Sequence, residues 1–327
     1  MDIFLVSLSV FFIVVSAAPL LPSSHWLVRV WEFPRLQLAV LITAVLITLL
    51  CYKSLALPFW LHAALVAGLG ISLLYQAIWI FPYTGFYRKE VPRDRNPQKQ
   101  RTISILSSNV FMPNSNYQKL IDHINNKKPD FVVTLESNEK WERALQPIEK
   151  DYPYTQFCAL ENLYGMHLYS KYEFDEHTLR FLVENDVPSV KIAIKVDGER
   201  VILQFLHPKP PSPTENEYAR PRDIELNIVG QEVAQTAGPI IVAGDLNDVA
   251  WSPTTRKFKK ISGLLDPREG RGFYNTFHAH YPLIKWPLDH VFHSSHFALV
   301  DLERLSDIGS DHYPLYTELV LKEANEK

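Results

Sequence analysis

The last apolar run of the chain is preceded by Gly309-Ser310-Asp311-His312, and further polar groups stand where earlier apolar runs end. Asn109 ends the run 102–110, Glu136 follows Phe-Val-Val-Thr-Leu, His207 follows Val-Ile-Leu-Gln-Phe-Leu, and Asp245 and Asn247 follow Ile-Ile-Val-Ala. Asp289-His290 sits between Trp-Pro-Leu and Val-Phe. Carboxylates are hard oxygen donors, which Mg²⁺ takes one or two at a time with water completing its shell. An acid beside an imidazole suits proton transfer, because the carboxylate fixes the ring's tautomer. Asp245 and Asn247, two apart at a strand exit, fall on one face and can hold a water between a cation and phosphorus. Hydrolysis of a phosphate ester needs these parts: a cation, a polarised water and stabilised charge on the phosphoryl oxygens.

Singly, each residue has a plainer reading. Glu136 can be an exposed acid at a strand end, His207 a structural histidine, and Asp245-Leu246-Asn247 an Asx turn. Arg220 and Arg222 are candidate substrate-phosphate contacts, since a guanidinium binds phosphate through two parallel hydrogen bonds, or else the solvated start of a helix. Phe273, Tyr274, Phe277, Tyr281 and Trp286 can rim a site for a lipid or a base, or belong to the core.

The elements that must position these residues are mostly strands. The pattern predicts strands at 102–110, 131–135, 166–170, 190–196, 201–206, 240–243, 288–292 and 313–320, with Asp197-Gly198 as a hairpin turn. Helices are expected over 117–124 and 221–235. Strand follows strand with few helices between, which predicts two packed sheets with helices on their outer faces.

The order of motifs resembles the endonuclease/exonuclease/phosphatase family from residue 101 to the C-terminus: Asn109, Glu136, Tyr164-Gly165 with Tyr169-Ser170-Lys171, His207, Asp245-Leu246-Asn247, Asp289 and Ser310-Asp311-His312. The resemblance implies an α+β fold, a four-layer αββα sandwich of two mixed sheets, with an Mg²⁺ or Mn²⁺ site at one end. It implies that Glu136 is the principal metal ligand, supported by Asn109 and Asp311, and that Asp245 and Asn247 position the attacking water and the phosphate. His312, oriented by Asp289, is then the general base, and His207 contacts a phosphoryl oxygen or assists the leaving group.

The first 87 residues differ in character. They carry only Arg29, Arg35 and Lys53 against Asp2 and Glu32, and the apolar stretches 3–21, 36–52 and 55–81 approach the roughly 20 residues that a spanning helix needs. Three transmembrane helices are expected. Trp26, Trp31, Trp60, Trp79 and Tyr83 lie near their ends, where amphipathic rings prefer the headgroup level. A cleavable signal peptide is the alternative for the first stretch, but no positive side chain precedes it. His62 and Gln76 need partners within the membrane.

Residues 88–101 form a basic juxtamembrane linker with Arg88, Lys89, Arg93, Arg95, Lys99 and Arg101, suited to anionic headgroups. Residues 102–327 are then a catalytic domain expected to fold alone. Nine of the 33 Lys and Arg but four of the 36 Asp and Glu precede residue 102, so that body is net acidic, which weighs against tight duplex binding. The two cysteines, Cys51 and Cys158, allow no disulfide framework or thiolate zinc site.

The expected protein is a membrane-anchored phosphoesterase acting by in-line attack of water on an envelope or lipid-linked phosphate. A deoxyribonuclease-like nuclease and a non-catalytic membrane scaffold are the alternatives. Its expected partners are membrane lipids and the phosphate-ester substrate, lipid-linked or nucleic acid, with no obligate protein partner. The expected location is the bacterial cytoplasmic (inner) membrane, multi-pass. The excess of positive charge on the domain's face points to the cytoplasmic side, while the resemblance leaves the outer side open.

Overall fold

A computed structural model describes residues 2–51 and 57–323. Tyr52, Lys53 and Leu55, used above to bound two apolar stretches and to count charge, lie outside the described residues, as does the end of the catalytic domain. The anchor comprises α1 (Asp2–Ala17), the short α2 (Trp26–Arg29), α3 (Arg35–Cys51) and α4 (Phe59–Ile80). The body continues with β1 (Thr102–Asn109), α5 (Tyr117–Lys127), β2 (Phe131–Leu135), α6 (Glu139–Leu145), β3 (Tyr154–Cys158), β4 (Met166–Ser170) and β5 (Glu176–Arg180). It ends with β6 (Ser189–Val196), β7 (Glu199–Leu206), α7 (Arg220–Gln235), β8 (Ile240–Asp245), α8 (Pro253–Ser262), β9 (Asp289–His293), β10 (Phe297–Arg304) and β11 (Leu315–Leu321).

The strands form a six-stranded sheet, β10-β11-β1-β2-β4-β3, and a five-stranded sheet, β5-β6-β7-β8-β9. Each is mixed: β1 and β2 pair in parallel, as do β7 and β8, and the other pairs are antiparallel. Side chains alternate across a strand, so Ile103, Ile105, Val133, Leu203, Phe205, Ile241 and Ala243 meet in one buried core between the sheets. The other faces bury against helices, with Leu106 and Val132 against Leu120 and Trp141 on one side, and Val242 and Phe292 against Val229 and Phe258 on the other. Four layers result. Asp197 and Gly198, both at positive φ, make the expected turn between β6 and β7.

In the anchor, α1, α3 and α4 pack through Leu5, Phe12, Ile42, Val45, Leu65 and Leu69. Two stretches, Asp2–Leu20 and Phe59–Tyr83, are long and apolar enough to cross a membrane. A third exists only if Trp26–Glu32 and Arg35–Cys51, bent by 74°, are taken as one span. The expectation of three spans is met only in that coarser sense. Pro34 interrupts the helix, and the 17 residues of α3 reach about 26 Å at 1.5 Å per residue, short of a hydrocarbon core of about 30 Å. The polar residues inside the bundle do find partners: Gln76 accepts from Arg35 (2.9 Å) and donates to Ser16 (3.0 Å), and the His62 ring meets the Leu49 carbonyl (3.1 Å).

The anchor is not tethered loosely. Trp251 donates from its indole to the Glu32 carbonyl (2.8 Å), Tyr83 donates to the Ala250 carbonyl (2.7 Å), and Arg29 bridges Glu32 and Asp223. Ile80, Tyr83, Phe33 and Trp286 share an apolar cluster with Trp251 and Leu288. Contacts also cross the boundary drawn at residue 101. Val91 is buried in the inter-sheet core, Arg93 pairs with Asp301, and Arg101 pairs with Asp197 and Glu199. Two of the six basic residues expected to face lipid headgroups are therefore paired with acids of the body, as Arg29 is with Asp223.

These contacts carry a prediction about stability. Uncovering large apolar side chains costs about 1.5–3 kcal/mol each, and each kcal/mol shifts the melting temperature of a domain this size by about 2–4 °C. Deleting residues 1–87 is expected to lower the melting temperature by roughly 10 °C relative to the full chain in detergent. Equal melting temperatures would show that the body is independent after all.

Candidate active site

The inward-facing period of the strands delivers the site. Ile103 and Ile105 face the core and Asn109 is on the same alternation; Leu203 and Phe205 lead to His207, Ile241 and Ala243 to Asp245, and Val291 back to Asp289. Register brings these ends together. β1 runs parallel to β2 and β7 to β8, so Asn109, Glu136, His207 and Asp245 lie just inside or beyond strand exits, while β9 is antiparallel to β8 with Asp289 opposite Asp245. Because β11 is antiparallel to β1, the segment before it places Asp311 and His312 at the same end. His290, one residue out of phase, points the other way: it sits 2.9 Å from the Asp248 carbonyl and stacks on Phe292.

Two glycines permit the close approaches. At Gly244 φ is +139° and a Cβ would stand 2.0 Å from the Leu206 carbonyl oxygen; at Gly309 φ is +86° and a Cβ would stand 2.2 Å from the Asn116 amide. A side chain at Gly244 would require the backbone to move, and one at Gly309 would displace the Asn116 side chain and strain a left-handed backbone that glycine adopts freely.

The groups assemble as follows. Asn109 donates from its amide to Glu136 (2.8 Å) and Asp245 (3.1 Å), while its oxygen accepts from the Phe111 N–H. One Asp245 oxygen accepts from the Asn247 N–H (2.8 Å), so the Asx turn and the site are one structure. Its other oxygen lies 3.5 Å from His312 Nε2 and 3.8 Å from His207 Nε2. His312 Nδ1 is 2.8 Å from Asp289, whose own N–H donates to Thr276 Oγ1. Ser310 donates to the Asn109 carbonyl (2.8 Å) and toward Asp311, tying the two ends of the chain.

Burial dominates the electrostatics. It pushes the Glu136 carboxyl up to about 7, opposed by the Asn109 amide and reinforced by Asp311. Asp245 is likewise raised by burial, with His312 opposing. Burial alone would push His312 down, but Asp245 and Asp289 outweigh it and hold the ring up at about 10. Asp289 is pulled below the usual carboxylate range despite its burial, because His312 faces it. His207 is pushed down to about 3 by burial and then by His312, against a smaller pull from Asp289, and stays neutral. Such opposed shifts in one cluster mark groups suited to proton transfer.

The donor set fits a hard divalent cation. Glu136 Oε2 is buried and makes no hydrogen bond, as is Asp289 Oδ1, and burying an unpaired carboxylate oxygen is costly unless a cation meets it. Asp245, Asp289 and His312 also offer ligand atoms within 4.8 Å of one another; there His312 Nδ1 is engaged with one Asp289 oxygen, while the other Asp289 oxygen is as unpartnered as that of Glu136.

Asn109, Glu136, His207, Asp245, Asn247, Asp289, Asp311 and His312 are thus brought to one end of the sheets. The two arginines expected at the substrate are not alike. Arg222 is fully buried; it donates to the Asn247 carbonyl (2.8 Å) and pairs with Asp223 and Asp248. It holds the β8 exit loop in place and cannot reach a substrate phosphate. Arg220 is exposed at the start of α7. Among the aromatic residues, Phe273, Phe277 and Trp286 pack in the cluster between anchor and body, and Tyr281 is exposed. Phe277, a candidate rim residue, lies against His312, while Thr276 and Asp248 were missed: their contacts with Asp289 and Arg222 cross between separate segments, which no local spacing signals.

The model of the Endonuclease/Exonuclease/phosphatase family matches residues 106–312. Among solved structures, an endonuclease/exonuclease/phosphatase from Beutenbergia cavernae is 19% identical with a TM-score of 0.54, covering 68% of this chain and 72% of that one. D. rerio TDP2, complexed with a single-strand DNA product, is 18% identical (TM-score 0.54; 67% and 98% covered). The human Nocturnin catalytic domain with bound sulfate is 16% identical (TM-score 0.55; 70% and 98%). At these identities the likeness is one of fold. No curated protein sequence matches the chain.

Proposed function

The chain belongs to the endonuclease/exonuclease/phosphatase family, whose members are metal-dependent hydrolases of phosphate ester bonds, and we propose that it hydrolyses a lipid-linked phosphate ester at the surface of the membrane that holds its helices. One observation carries this reading. Phe33, just before α3, meets the Trp286 ring (5.4 Å between centroids), Trp286 stacks on Phe277 (6.0 Å), and Phe277 lies against His312 (5.0 Å). Three aromatic rings separate the candidate catalytic histidine from an apolar anchor helix, so a phosphate within reach of His312 is close to headgroup level.

In this reading Glu136 and Asp311 would hold Mg²⁺ or Mn²⁺, and the Asn109 amide, donating to both Glu136 and Asp245, fixes the two carboxylates relative to one another. When bound, the cation supplies positive charge against the phosphoryl oxygens. Asp245 and Asn247 position a water in line with the leaving group. As the water oxygen bonds to phosphorus, its proton passes to the Asp245–His312 pair, which titrates as a unit, and Asp289 stabilises the charge on the ring. The bond from phosphorus to the leaving oxygen breaks, and that oxygen takes a proton from solvent. Neutral His207, whose Nδ1 is buried without a protein partner, donates a hydrogen bond to a phosphoryl oxygen.

The same reading takes residues 102–327 as the catalytic body, with its substrate phosphate contacted by Arg220. It takes the location as a multi-pass protein of a bacterial cytoplasmic membrane, its body on the cytoplasmic face. The test compares the full-length chain, in liposomes, on a phospholipid or polyprenyl phosphate and on plasmid DNA. Turnover at least tenfold higher on the lipid is expected; preferential cleavage of plasmid would replace this reading with a nuclease. Protection of the body from protease added outside intact cells tests the side.

A further inference from the structure

Helix α8 has the sequence Pro-Thr-Thr-Arg-Lys-Phe-Lys-Lys-Ile-Ser, four basic residues and no acid, and it lies beside the end of α4. Arg256 donates to the Trp79 carbonyl (2.8 Å) and its guanidinium sits 4.2 Å from the centroid of the Trp79 ring, so this cation is fixed at the last turn of a helix long enough to span a membrane. Between α4 and α8 lies a cleft of about 650 Å³ whose walls include Ile78, Phe81, Tyr87, Arg256 and Lys260. Its two acids, Glu90 and Glu269, both pair with Lys259. Arg256 and Lys260, four apart and on one face of α8, form no ion pair among the described residues, and three cations against two acids leave the cleft one net positive charge. Ile78 and Phe81 are exposed at 57% and 47%, apolar surface on the same helix end.

We propose that this cleft binds an anionic phospholipid, with the headgroup phosphate between Arg256 and Lys260 and an acyl chain along Ile78 and Phe81. Charge and position select this occupant: two cations meet an apolar wall at the depth where a spanning helix leaves the hydrocarbon. The site is separate from the strand-end cluster, and it rests on the helices lying in a bilayer, not on the reaction proposed above. A basic residue at such a surface contributes roughly a fivefold gain in affinity for anionic lipid.

The full-length protein in dodecyl maltoside, examined by native mass spectrometry with phosphatidylglycerol and phosphatidylcholine of matched chains, tests the site. The expected result is one retained phosphatidylglycerol with a preference of at least about tenfold. Lys260→Ala should reduce that preference about fivefold, while Lys257→Ala, which removes the same charge from the same helix outside the cleft, should leave it intact. Equal retention of both lipids overturns the proposal. So does an equal loss in Lys257→Ala, which would mark diffuse attraction, or displacement by millimolar inorganic phosphate, which would mark a phosphate site without an acyl requirement. A chain that stays monodisperse without detergent removes its premise, whatever the substrate of the active site.

Discussion

Glu136→Gln is expected to abolish cation-dependent turnover, by at least about a hundredfold, while leaving the protein as stable as before. Changes in residues that merely support a metal ligand already cost about 10–100-fold, and Glu136 brings to the site a buried carboxylate oxygen that makes no hydrogen bond. Stability should hold because burial already disfavours the charged form and Asp311 and Asp245 repel it; Gln keeps the shape and the Asn109 contact without the charge. The cation itself distinguishes the two effects. A ligand at a hundred times its Kd stabilises the folded state by about 2.7 kcal/mol, so saturating Mn²⁺ should raise the melting temperature of the unaltered chain and not that of the variant. Full activity in the variant, or in excess EDTA, would remove Glu136 from the metal site.

His312→Ala is expected to lower kcat by at least about a hundredfold, the usual size of a general acid–base contribution. Asp289→Asn should act in the same direction, because Asp289 holds the ring through Nδ1 and stabilises its charge. Residues that act as a unit are not additive, so the double variant should be little slower than His312→Ala alone. Near-normal kcat in His312→Ala at saturating substrate would move the proton-transfer role to His207. Multiplied losses in the double variant would show that Asp289 works independently of the ring.

The site was readable because several of its residues extend the core alternation of strongly apolar strands, as at 201–206 and 240–243, whereas Glu136 is out of phase with Val133 and Leu135 and its backbone turns at positive φ. The same rule, applied to phase, separates Asp289 from His290. What escaped notice has specific causes. β5, Glu-His-Thr-Leu-Arg, is a largely exposed edge strand with almost no apolar face, and β3 is another edge. β10 is interrupted by a bulge between Leu299 and Asp301. α8 did carry signals, Ser252 as cap, Pro253 in the first turn and Gly263 in the left-handed region at its end, and could have been found. The packing of the N-terminal helices on the β8 exit loop could not, since it depends on segments about 200 residues apart meeting in space, and the burial of Arg222 rests on contacts with Asn247 and Asp248, which local periodicity does not signal.

The pairing of β1 with β11 also sets an order of events during synthesis. Asn109 and Ser310, whose hydrogen bond ties the two ends of the site, are 201 positions apart, roughly 10–40 s at ribosomal speeds of about 5–20 residues per second. The anchor leaves the ribosome before any of the body. The strand-end cluster can therefore close only some time after the apolar N-terminal helices have been made, and a prematurely terminated chain lacks the strand, β11, that pairs with β1.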